Sequence, residues 1–169
     1  MRKLGLAYDV GPGVVPVDFH TGTNTGLRLC LKNAQSCGFL ISMAAAASGT
    51  DDLVFTLNEH TAKTSGTTTA LANITTWWLK SATTLDGTQT WVKQTQAAGS
   101  TLTIPGASYA TKQVLAVVEV NTKDVDDGYD YVSLSCAATA AISRLGTITS
   151  LLSDLTVRRS PDNLQPTLF

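Results

Sequence analysis

The chain has 169 residues, enough for one ordinary domain with its own core, and carries a net charge of −1 with only 15% charged residues. That balance excludes a broad basic surface for nucleic acid or acidic membrane. The longest apolar run, FLISMAAAA, is too short and too polar to cross a bilayer. The start, MRKLGLAYDVG, lacks the apolar centre of a signal peptide because Asp9 interrupts it, so the expectation is a soluble protein made in the cytoplasm. Threonine and alanine are abundant and the only glutamates are Glu59 and Glu119, a mix that suits strands and turns better than long amphipathic helices. Low charge combined with high β-propensity is an aggregation hazard for a free monomer, and self-assembly is one way of covering sheet edges.

Residues 1–25, rich in glycine and proline, read as an N-terminal arm with a short strand around residues 14–19. LRLCLK (27–32) alternates, with Leu27, Leu29 and Leu31 on one face. NAQSCG reads as a turn into FLISMA (39–44), and the two strands are expected to pair or neighbour each other. LVFTLNEH (53–60) alternates again. TTWWLK is a further strand, and Asp86-Gly87 signals a hairpin returning through TQTWVKQTQ with Trp91 near its centre. STLTIP is short. KQVLAVVEV, the most apolar segment, is expected to be central, and YVSLSCAA and LGTITSLLS complete the set. A helical turn fits 108–112 or 122–125. Residues 156–169 read as an extended tail. The fold class is therefore all-β: an antiparallel β-sandwich, jelly-roll-like, of about eight or nine strands spanning 26–155 between extended arms.

The stretch KDVDDGYDYVSLSC holds four crowded aspartates, Asp124, Asp126, Asp127 and Asp130. Counted as an EF-hand from Asp124, position 5 is Gly128, position 6 is Tyr129 and position 12 is Ser135, so the register fails. An irregular cation site at a sandwich corner stays open. The stronger reading is turn chemistry, with Gly128 at positive φ and the aspartates accepting local hydrogen bonds. Solvated carboxylates this close offer no acid–base asymmetry for catalysis.

His20 and His60 lack partners at metal-ligand spacing and read as polar loop or edge residues; no nucleophile elbow, P-loop or dinucleotide motif is present. Neither an enzyme nor a cofactor is expected. Three cysteines, Cys30, Cys37 and Cys136, make no closed disulfide framework and no zinc pair, and read as buried free thiols, although one pair can still meet in space. Asn-Ile-Thr at 73–75 fits a glycosylation acceptor without any sign of a secretory route. Adjacent Trp77 and Trp78 must face opposite ways, one into the core and one outward or to an interface. With Trp91 the outward one offers a sugar-stacking alternative.

The order of these segments resembles small β-rich virion proteins of tailed bacteriophages, encoded beside the major capsid protein. The resemblance rests on V-P-x-D-F (Val15, Pro16, Val17, Asp18, Phe19), L-K-N at 31–33, GTDDLVFTL at 49–57, and K-Q-T-Q-A at 93–97. It rests also on D-x-D-x-G-[FY]-D at 124–130 and on the leucine-rich strand and Arg/Pro tail at 151–161. It implies a non-enzymatic capsid decoration or cement protein on the virion head, assembled in the host cytoplasm as a homo-oligomer, with a trimer favoured. The partner would be the major capsid protein, not nucleic acid or membrane. The implied contacts are Val15, Pro16, Val17, Asp18 and Phe19 in the first arm and Arg158, Arg159 and Leu164 in the second. The alternatives are a carbohydrate-binding host-attachment module using Trp78 or Trp91, and a tail or head–tail joining protein that forms rings.

Overall fold

The computed structural model describes residues 4–139, 142–157, 164 and 166–168. In chain order the elements are a helical turn α1 (Leu4–Ala7), β1 (Tyr8–Asp18), β2 (Leu29–Cys30), β3 (Ser36–Met43), β4 (Leu53–His60), β5 (Thr68–Ala70), β6 (Ile74–Ala82) and β7 (Val92–Gly99). They continue with β8 (Thr101–Ile104), a second turn α2 (Gly106–Tyr109), β9 (Gln113–Asn121), a 3-10 turn (Thr122–Asp124), β10 (Tyr131–Cys136) and β11 (Leu145–Ser153).

Two antiparallel sheets pack into a β-sandwich. One has six strands in the order β1-β11-β3-β9-β6-β7; the other holds β2-β10-β4-β5, with β8 also on β4. β1 to β4 alternate between the sheets, and β9, β10 and β11 return alternating, each inserted beside an earlier strand. That is the wrapping of a jelly roll. β10 covers one side of β4, while β5 and β8 lie in tandem on the other, at its His60 and Leu53 ends respectively. The β6–β7 hairpin is the excursion between them, and it widens the opposite sheet by two strands.

Period-2 patterning explains the layers. β3 and β9 bury every second residue: Cys37, Phe39, Ile41 and Met43 on one, Val114, Ala116, Val118 and Val120 on the other. Leu53, Phe55 and Leu57 of β4 and Val132, Leu134 and Cys136 of β10 face them from the second sheet. As expected, KQVLAVVEV is central, lying between β3 and β6.

Several expectations are corrected. The first segment is a strand of the sheet rather than a free arm: β1 pairs with β11 from Tyr8↔Ser153 to Asp18↔Leu145, with register shifts at Pro12/Val14 and Val14/Val17. An edge strand accommodates Pro12 and Pro16, which lack a donor, and the shifts bulge it outward. LRLCLK shrinks to two strand residues and does not pair with β3, which lies in the other sheet. Its backbone donors go to three separate segments, Leu27 N–H to Gly13, Cys30 N–H to Thr167 and Leu31 N–H to Asp130. Asp86-Gly87 does not form a two-residue hairpin loop. Residues 83–91 connect β6 to β7, with the Asp86 carboxylate accepting from Thr88 and Gln89, and Trp91 precedes the strand. Of the expected extended tail, Leu164 and Leu168 pack against the core.

Candidate functional site

The outward face of the six-stranded sheet departs from the polar surface expected of an antiparallel sandwich. Register pairs place Pro12, Thr149, Leu40, Val117, Trp78 and Lys93 in one row across all six strands. Val10 and Leu151 pair in the neighbouring row on one side, and Leu115 and Lys80 pair on the other. Val10, Leu151, Leu40, Val117, Leu115 and Trp78 thus form an apolar band that runs obliquely over the sheet. Val10 is 46% exposed, and the others retain partial exposure although they point away from the core.

At one end of the band lies a shallow groove of about 420 Å³ lined by Trp78, Trp91, Val117 and Glu119. Trp77 is buried and Trp78 faces outward, so the tryptophan pair divides as its alternation requires. Trp91 is 45% exposed, and the Lys80 ammonium sits 4.7 Å from its ring centroid, a cation–π contact that holds the indole.

The acidic stretch is the corner that carries the chain from β9 in one sheet to β10 in the other. Gly128 turns it at φ 85°. Asp124, Asp126 and Asp127 are exposed, and Asp130 makes a 3.1 Å ion pair with Lys32. Among the described residues no three His, Cys, Asp or Glu side chains converge as metal ligands. What holds the corner is the one acidic residue on the inward period of β4. Glu59, buried on the inner face of β4, accepts from the Asp126 N–H at 3.0 Å, and burial raises its pKa. Tyr129 adds an anchor through a 2.9 Å hydroxyl contact with Thr69.

His20 lies in a turn and His60 at the end of β4, yet both side chains are buried. His20 Nδ1 contacts the Thr139 hydroxyl. His60 Nε2 lies 2.8 Å from Ser133 Oγ and its Nδ1 2.9 Å from Thr68 Oγ1. This resembles a nucleophile–base pair, yet Ser133 is 1% exposed and the third position holds a hydroxyl rather than a carboxylate, so a substrate has no approach.

Burial, reinforced by the Arg28 charge, lowers the His60 pKa to about 4. Between about 6.5, the unfolded value, and about 4 the unfolded chain binds the extra proton. His60 therefore contributes stability fully above pH ~6.5 and loses it as pH falls towards 4. Burial shifts His20 the same way, while the raised Glu59 acts with the opposite sign above its ordinary value. The melting temperature should fall between pH 6.5 and 4.5 more steeply in the wild type than in His60→Gln; equal slopes would refute this role.

The implied contact residues separate into distinct environments. Val15, 56% exposed, and Pro16 project from the bulged stretch of β1. Val17 packs partly against the core, and Phe19 is wholly inside it, edge-on to Phe55 with ring centroids 5.4 Å apart, so Phe19 is not a partner contact. The Asp18 carboxylate is engaged within the chain. Partial burial pushes its pKa up, but donors on Arg144, Ser143, Thr21 and His20 hold it down to about 2. Leu164 is half-buried and packs against the core, while Arg158 and Arg159 lie outside the described residues.

The three thiols are free, with Cys37 and Cys136 buried and Cys30 half-buried; burial pushes Cys136 up to about 12. A residue with no sequence signal, Arg144, is fully buried, and its guanidinium donates to the carbonyls of Ala44, Tyr109 and Lys112. No protein-family model matches the chain, and a search of curated proteins returns no match.

Proposed function

We propose that this chain is a structural protein of a tailed-bacteriophage head, a decoration or cement protein that binds the shell as a homo-oligomer. The observation that carries the reading is the apolar band on the outward face of the six-stranded sheet, a surface suited to a subunit rather than to a free monomer. Jelly rolls serve in viral capsid domains and in lectins alike, so the wrapping is compatible with the reading without selecting it. The role is mechanical: contacts spread over neighbouring shell subunits resist their separation. Val15 and Pro16 on the bulged edge offer apolar contacts to the shell, and Arg158 and Arg159 offer cations for an acidic partner. The test is co-sedimentation with empty heads assembled from a tailed-bacteriophage major capsid protein. Saturable binding that raises the heat resistance of the shell is expected; absence of binding would overturn the reading.

The groove between Trp78 and Trp91 supports a second reading, a carbohydrate-binding module, since indole faces stack on sugar rings and Glu119 accepts from hydroxyls. It predicts glycan-array binding that Trp91→Ala abolishes without loss of fold, and an array without hits would exclude it.

A further inference from the structure

We propose that two copies of this chain pack outward face to outward face across their six-stranded sheets, about a twofold axis running along the apolar band. The inference rests on the self-assembling reading above and names the surface and the symmetry.

Area is the first argument. Six strands about 4.8 Å apart, each about eight residues long at about 3.3 Å per residue, present a face of roughly 700 Å². Two such faces meeting fully bury roughly 1,400 Å², within the range of about 1,200–2,000 Å² typical of stable specific interfaces. Aligned packing of sheets in sandwiches supplies the geometry: outward residues of each sheet interdigitate with those of the other.

Charge is the second. An axis along the band lays Leu40, Val117 and Trp78 of one copy on the band of the other, and it exchanges the two sides. Glu119, two residues beyond Val117, lies on one side. Lys80, two residues beyond Trp78 and paired with Leu115, lies on the other. The rotation therefore brings the carboxylate of each copy towards the ammonium of its partner, an isologous interface with self-complementary charge. The result is a dimer, which departs from the trimer implied by the resemblance, and it covers the Trp78–Trp91 groove.

Sedimentation of the full chain, without shells, tests this. The wild type should run near twice 17.8 kDa. Val117→Glu, which sets a carboxylate at the centre of the band, should run as a monomer. Glu119→Lys and Lys80→Glu alone should each weaken dimerisation at least about tenfold, and together restore it. The exchange uses side chains that retain exposure, so it remains decisive if Val117→Glu misfolds. A monomer at the highest soluble concentration, a trimer, or a dimer indifferent to these changes would overturn the proposal. Shell binding by a wild type that stays monomeric would overturn the dimer and leave the head-protein reading standing; a dimer that ignores shells would do the reverse.

Discussion

Arg144→Met should lower the melting temperature by about 10 °C. The side chain is wholly buried, and its guanidinium joins the residue after β3, Ala44, to the end of α2 through Tyr109 and to Lys112 beyond it. Its own backbone completes the junction: its N–H donates to Asp18 at 2.9 Å and its carbonyl accepts from Phe19 at 3.0 Å. Two effects oppose. Burying the cation costs several kcal/mol, which methionine recovers, and burial lowers the arginine pKa accordingly. Against that, three charge-assisted hydrogen bonds worth about 1.5–3 kcal/mol each disappear, and the Ala44 and Lys112 carbonyls lose this donor while the Tyr109 carbonyl keeps the Lys112 N–H. The second set is larger, for a net loss of about 3 kcal/mol or more. A chain of this size loses about 2–4 °C per kcal/mol. Arg144→Lys should rescue little, because a single ammonium cannot copy the spread of a planar guanidinium. A melting temperature within about 2 °C of wild type for Arg144→Met would refute the clamp.

Deletion of residues 1–20 should abolish cooperative unfolding. As an arm, this segment would be expendable for folding and needed only for a partner. As β1 it supplies the outer strand of the six-stranded sheet, and Phe19 fills the space over Gly146, where any Cβ would collide with its ring. Removing it exposes Ile148 and Phe55 and leaves β11 as an unprotected edge. Phe19→Ala alone should cost about 3–5 kcal/mol. Circular dichroism melts and amide dispersion by NMR are the measurements. A truncated chain with a sharp transition close to wild type would show that β1 is an accessory.

Alternation made much of the fold legible. Leu53-Phe55-Leu57 and Val132-Leu134-Cys136 point inward as their period requires, and KQVLAVVEV is central because both its faces are apolar. Period 2 assigns a face, however, and not a sheet. Leu29 and Leu31 are buried as expected, yet their segment belongs to the sheet opposite β3, because its donors are answered by residues far along the chain. The proline- and glycine-rich composition of residues 8–18 resembles an arm since an edge strand tolerates what an inner strand cannot. The period that turns Leu53, Phe55 and Leu57 inward turns Glu59 inward too, but its partner is not legible, and Arg144 left no local trace: one answers the Asp126 N–H, the other three carbonyls, and none of these partners lies within thirty residues of its donor or acceptor. The outward band is visible only once the register aligns Leu40, Val117 and Trp78, which are scattered in sequence.

The pairing of β1 with β11 also sets a timetable for synthesis. Of these strands β1 emerges first and waits for β11, the last of them, since Tyr8 meets Ser153. β3 likewise waits for β9 and β11. The larger sheet therefore assembles only after β11 has emerged, from distant segments whose closure is slow. During that interval Val10, Leu40 and Phe39 are open to neighbouring nascent chains, a window in which yield should depend on translation rate, temperature and chaperone supply more than on final stability.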